Sequence, residues 1–294
     1  MRPLLAVVLF CTITGLSAQD HHVLADAERA LVPYTDSILD DSIAFDDRLK
    51  TVHRFIPRFV AALKLPGAYG YGFDSLKIQQ VRAPDDAFRI YTWEIEDELR
   101  THRYYGAIQM NSEDLELHPL FDYSDTMVYR PQRPLTPRDW YGALYYGCVR
   151  TEHDGQVFYT LMGRDEADFV SDRKVIEVMT IGPDGPVFGD EPLFHYVDSN
   201  GVHMRTDARV FVEYNDKATV RMTHDPEQDI LLFDHCEPPS ENERGARFTY
   251  VPDGTYEGFE WVDGRWEWIE RVFTYSIGED DAPPVPRPIL DDRD

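Results

Sequence analysis

The sequence predicts a mainly β protein. Its body should be antiparallel and rich in hairpins and meanders, arranged as a sandwich or in a propeller-like way, behind an N-terminal helical region. Three observations predict this. Apolar residues recur at helical spacing up to about residue 65. From about residue 75 they fall into short β-branched and aromatic segments. Between those segments stand Pro-Asp, Asp-Gly and Asn-Asp pairs, the chemistry of tight turns.

Residues 1–18 are a separate object. Met1-Arg2-Pro3 gives a positive start, LLAVVLFCTITGL is an apolar run, and Ala18 supplies a small residue before Gln19. This pattern predicts a signal peptide cleaved near Ala18, and so export to the periplasm or beyond. The run is too short to span a bilayer stably, and no later stretch is long and apolar enough. Cys11 follows Phe10 inside the run rather than a small residue at the cut, which argues against a lipid anchor.

The helical region is expected over 19–66. HHVLADAERALV places Leu24, Ala27 and Leu31 on one face, and Pro33 is expected to end that helix. Asp41-Ser42 offers a cap before a second amphipathic run carrying Leu49, Val52, Ile56, Phe59, Val60 and Leu63. Pro57 within it predicts a kink or break.

The β-rich body is expected over 67–277. FRIYTWEI (88–95), YGALYYGCV (141–149), QVFYTLMG (156–163), KVIEVMTI (174–181), ARVFVEY (208–214), ATVRM (218–222) and DILLFDH (229–235) read as strands. The tail 278–294, GEDDAPPVPRPILDDRD, is acidic and Pro-rich and reads as extended or disordered. No interior linker of that composition separates a second domain.

The stretch GFEWVDGRWEW (258–268) has a defined geometry. Asp263-Gly264 as a two-residue type I′ loop sets Val262 against Arg265, Trp261 against Trp266, Glu260 against Glu267 and Phe259 against Trp268. One face then carries Phe259, Trp261, Trp266 and Trp268. Two uses are open: a covered core face, or a platform for a sugar or peptide. Exposure of four rings together is hazardous, so the core is preferred.

The chain carries 54 acidic and 29 basic residues, a formal net charge of −25. This excludes nucleic acid as a partner, since phosphate binding needs Lys and Arg. A divalent cation is the one cofactor the acidity favours; no organic-cofactor motif is present. His224, Asp225, Glu227 and Asp229 in THDPEQD are metal-competent, as are Asp234, His235 and Cys236 beyond them. Their spacing fits no closed zinc pattern, and Pro226 suggests an ordinary turn. Beyond the leader only Cys148 and Cys236 remain, an even pair that permits one disulfide after export. Two buried free thiols are the preferred reading.

Glu94, Glu96, Asp97 and Glu98 crowd the end of one strand, and paired carboxylates can serve glycoside hydrolysis. No GxSxG elbow, phosphate loop, EF-hand or CxxC motif is found. The leading expectation is a non-catalytic exported envelope or periplasmic protein that binds or scaffolds, with a glycan or envelope protein as partner. The alternative is a carbohydrate-active hydrolase using paired carboxylates and the aromatic platform.

The ordered phrases FDSLK, FRIYTWEI, WYGALYY, YTLMGRD, KVIEVM, GPVFG, VFVEY, ILLFDHCEPP and PDGTYEGFEW span about residues 73–273. In this order they resemble a family of uncharacterised exported proteins from Bacteroidota-type bacteria. The resemblance implies export and a shared β fold. It implies no activity, ligand or catalytic residue.

Overall fold

A computed structural model describes residues 18–127, 131–166, 170–197 and 201–272. The expected signal peptide, apart from its last residue, and the acidic tail therefore lie outside the described residues. Two helices come first, α1 (Ala18–Ile38) and α2 (Phe45–Leu63). A meander follows: β1 (Gln79–Arg82), β2 (Phe88–Glu96), β3 (His102–Met110) and β4 (Leu117–Phe121) form a four-stranded antiparallel sheet. Next come β5 (Leu144–His153), β6 (Gln156–Asp165), β7 (Ser171–Gly182) and β8 (Gly185–Phe188). Then β9 (Phe194–Val197) and β10 (His203–Asp207) start a third sheet, and β11 (Arg209–Asn215) returns to the second. The third sheet is completed by β12 (Met222–Asp225), β13 (Ile230–Glu237), β14 (Val251–Val262) and β15 (Arg265–Ile269). The middle sheet runs β11-β7-β6-β5, with β8 also on β7. Among the described residues every strand-to-strand pairing is antiparallel except β15 with β9, and the isolated Asp122–Trp140 bridge is also parallel.

Alternation along the strands stacks these pieces into four layers. On β2, Tyr91, Trp93 and Ile95 pack against Val52, Phe55 and Phe59 of α2. Phe88 and Ile90, on the opposite face of β2, join a core with Tyr145, Tyr159, Leu161, Val175 and Met179 of the middle sheet. Phe158, Met162, Ile176 and Val178 point the other way. They meet Phe194, Leu231, Phe233, Phe259 and Trp266 of the third sheet. The order is helices, four-stranded sheet, five-stranded sheet, six-stranded sheet. This is the sandwich-like form of the expected β body, with the helical pair as its outer layer.

Local expectations fail in three places. Helix α1 runs through Pro33 to Ile38. Its buried stripe, Leu24, Glu28, Leu31, Thr35 and Ile38, spans both sides of the proline. Pro33 and Arg29, whose carbonyl loses its partner, are both exposed, so water can satisfy the orphaned oxygen. Helix α2 does not break at Pro57, which is exposed together with His53 four residues earlier. The expected Asp41-Ser42 cap is not used: the N-cap is Ala44, and Ser42 bonds Asp40 instead. Within ATVRM only Met222 lies in a strand. Strands β1, β3, β4, β8, β9 and β10 were not foreseen.

The Asp263-Gly264 hairpin forms in the expected register, Trp261 opposite Trp266 and Phe259 opposite Trp268. Both turn residues have positive φ, +47° and +84°, as a type I′ loop requires.

Two buried knots tie the layers. Arg209 Nε donates to Glu177 Oε2 at 2.6 Å, with both side chains fully buried. Tyr145 donates to the other Glu177 oxygen and accepts from Trp140 Nε1 at 2.9 Å. Arg209 also donates to the carbonyls of Pro131, Arg133 and Phe188. The second knot is at Glu28 on α1, which accepts from the Tyr71 hydroxyl at 2.5 Å and the Ser75 amide at 2.7 Å.

Candidate functional site

Where the four-stranded sheet meets the middle sheet, three ligand-type side chains converge. The short connection after β2 sets His102 opposite Glu96 in the β2–β3 register. Glu94 lies two residues back on the same face. From the middle sheet, the end of β6 brings Arg164, Asp165 and Glu166 over that face. Glu94, His102 and Glu166 each offer one ligand atom, all within 4.8 Å of one another. Among the described residues this is the only group of three such side chains so gathered.

The contacts are specific. His102 Nδ1 lies 3.3 Å from Glu94 Oε2, and its Nε2 lies 3.8 Å from Glu166 Oε2. Arg164 bridges the two carboxylates, 3.3 Å from Glu94 Oε1 and closer to Glu166 Oε1. The His102 side chain is 7 % exposed, yet its Nδ1 makes no hydrogen bond; nor does Glu94 Oε2. The 3.3 Å approach is therefore close but misaligned. Burial disfavours the imidazolium, but Glu94 and then Glu166 and Glu96 outweigh it, holding His102 above the ordinary histidine range.

A cleft of about 150 Å³ opens beside this group, lined in part by His102, Tyr104, Asp125, Tyr141, Glu166 and Arg173. Asp165 forms its floor. It accepts from the hydroxyls of Tyr141 at 2.6 Å and Tyr104 at 3.1 Å, with Arg173 at 3.3 Å. Burial raises the Asp165 carboxyl despite those donors. Tyr104 in turn accepts from the Glu166 amide at 2.8 Å, which fixes the backbone beneath that carboxylate. On β7, burial and the like charges of Glu166 and Asp216 push Asp172 up to about 6. Negative charge is crowded here.

Of the four acidic residues at the end of β2, only Glu94 serves this group. Glu96 pairs with Arg100 at 2.9 Å, Asp97 accepts from the amides of Leu99 and Thr101 to shape the turn, and Glu98 is exposed. His102, Arg164 and Glu166 were not singled out from the sequence. Reading HRYYGAI as the strand paired with FRIYTWEI would have put His102 on the Glu94 face.

The residues that were singled out go elsewhere. Asp225 accepts from the Glu227 and Gln228 amides in the β12–β13 turn, and His224 Nε2 sits 2.9 Å from Asp229 Oδ1. His224, Asp225, Glu227 and Asp229 thus build a turn and are not gathered as a metal-sized group. Asp234 accepts from the Arg221 amide, and His235 pairs with Asp253 at 2.9 Å. Cys148 and Cys236 are free thiols on different sheets, so the permitted disulfide is not formed. Burial pushes both thiols up to about 12.

Of the ring face, Phe259 and Trp266 are fully buried between sheets. Trp261 and Trp268 are half-buried at its margin, and Trp268 Nε1 donates to Glu257 at 2.8 Å. The rings stand on the third sheet and the Glu94–Glu166 pair on the first two. The two parts a carbohydrate hydrolase would combine are thus not side by side. Among the described residues no helix is long and apolar enough to cross a membrane.

Compared with models of protein families, with curated proteins and with solved structures, the chain matches none.

Proposed function

We infer that the chain is an exported, non-catalytic binding protein, and that its site is the acidic cleft at the seam of the first two sheets, taking a cationic ligand. The observation that supports it best is the crowding of Glu94, Glu166 and Asp172 around one buried histidine. Arg164, about half exposed, is the side chain bridging Glu94 and Glu166. The carboxylates there, Asp165 included, outnumber the guanidinium groups of Arg164 and Arg173, so the surface lowers the free energy of an approaching cation. The strands beneath it are pinned by the Asp165–Tyr104–Tyr141 knot, which keeps the cleft's shape without its ligand.

The test is thermal unfolding of the purified chain. Spermidine and calcium should each raise the melting temperature more than sodium chloride of equal ionic strength does. The double substitution Glu166→Gln, Asp172→Asn should remove most of the excess. Identical shifts with all three salts mean simple screening and refute the reading.

A further inference from the structure

We propose that Glu94, His102 and Glu166 form an inner-sphere site for a zinc-like divalent cation, gated by Arg164. The proposal rests on the cation-binding reading of the cleft and narrows it to one chemistry. Its first support is the donor set: one imidazole nitrogen and two carboxylate oxygens suit a borderline cation such as Zn²⁺ better than the all-oxygen preference of Ca²⁺ or Mg²⁺.

The second support is the unsatisfied pair. A buried imidazole beside a buried carboxylate ordinarily closes a hydrogen bond, because each orphaned atom costs free energy. Here Nδ1 of His102 and Oε2 of Glu94 are 3.3 Å apart, and neither makes one. Two donors each about 2.1 Å from one ion, at tetrahedral or octahedral angles, lie roughly 3.0–3.4 Å apart. The spacing is that of neighbouring ligands on one cation. Glu166, 31 % exposed at its side chain, has the freedom to close in as the third ligand.

Support also comes from rigidity. Glu94 and His102 stand on adjacent paired strands, and the Glu166 backbone is held by Tyr104. Sites on strands keep their geometry better than sites on loops.

Arg164 supplies the gate. Its guanidinium bridges Glu94 and Glu166 while its side chain stays 45 % exposed. It can therefore leave toward water when a doubly charged ion takes its place. Arg164 holds the Oε1 atoms of the same two carboxylates whose Oε2 atoms face His102, so its positive charge competes with the ion's, and removal of Arg164 should strengthen metal binding rather than weaken it. A purely structural ion-pair network predicts no such gain.

The experiment is titration of the metal-stripped full chain with ZnCl₂ by calorimetry, with Co²⁺ absorption as the spectroscopic probe. One site per chain is expected, with a Co²⁺ ligand-field band in the visible. Glu166→Gln should weaken it about tenfold or more, at least what loss of a supporting partner costs a metal site. His102→Gln should abolish the band. Arg164→Gln should bind Zn²⁺ several-fold more tightly than wild type. If His102→Gln fails to fold, the half-exposed Glu166 and Arg164 variants still decide the matter. Equal affinity in wild type and Glu166→Gln, or no gain in Arg164→Gln, overturns the proposal. Spermidine protection without a Co²⁺ band removes the coordination site and leaves the cation reading standing. No response to any cation removes both.

Discussion

Trp261 and Trp266 face each other across the Asp263-Gly264 turn, ring centroids 5.2 Å apart and planes at 67°. They are not equivalent. Trp266 is fully buried, and its Nε1 donates to Thr160 Oγ1 of the middle sheet at 2.9 Å. Trp261 is half-buried and leans on Phe158. Trp266→Ala should therefore cost about 3–5 kcal/mol, as core Trp and Phe truncations do. Trp261→Ala should cost clearly less. Denaturant midpoints measure both, and an unchanged midpoint for Trp266→Ala would show that this ring is not part of the core.

The Arg209–Glu177 pair allows a sharper test. Arg209→Met leaves Glu177 buried beside Tyr145 without its cation and should cost about 3–5 kcal/mol. Arg209→Lys should also be costly, because one ammonium cannot serve the carboxylate and three carbonyls that the guanidinium reaches. Adding Glu177→Gln to Arg209→Met should recover part of the loss. A double variant no more stable than Arg209→Met alone would mean that the charge is not the problem.

Glu257 sets a pH dependence. Burial raises its carboxyl above the ordinary value of 4.5, and the Trp268 indole opposes this only in part. A raised carboxyl binds its proton more tightly in the folded chain. Its contribution to stability is thus complete below the unfolded value and fades as pH rises through the folded one. Glu257→Gln keeps an acceptor for Trp268 and removes the buried charge. Its stability relative to wild type should improve between about pH 4 and about pH 8. The same difference at both ends would contradict the shift.

The thiols give a labelling test. With Cys148 and Cys236 both pushed up to about 12 by burial, little thiolate exists at neutral pH. Both should react slowly with an alkylating reagent in the folded chain and fast in denaturant without reductant, as peptide mapping will read. Failure to label in denaturant would mean that they are bonded after all.

Local chemistry by itself determined the register of the 258–269 hairpin, because Asp-Gly restricts two residues to positive φ and a two-residue loop leaves one pairing. The same kind of short-range signal located two helices and most of the long strands, since 3.6- and 2-residue periods are written in adjacent positions. It did not locate β3 or the short β8 and β9, whose apolar runs are brief or interrupted by polar residues. It also misjudged Pro33, because a helix end depends on what the next turn buries as well as on the lost hydrogen bond. The candidate site was half legible. Glu94 stood in a visible acidic cluster, but that cluster gave no reason to choose it over Glu96, Asp97 or Glu98. Only the stacking of the first sheet on the second selects it, because stacking turns one face of β2 toward Glu166 and excludes water from His102. Burial, and with it the cost that makes a nitrogen without a hydrogen bond meaningful, belongs to distant segments in contact and is not written in any one of them.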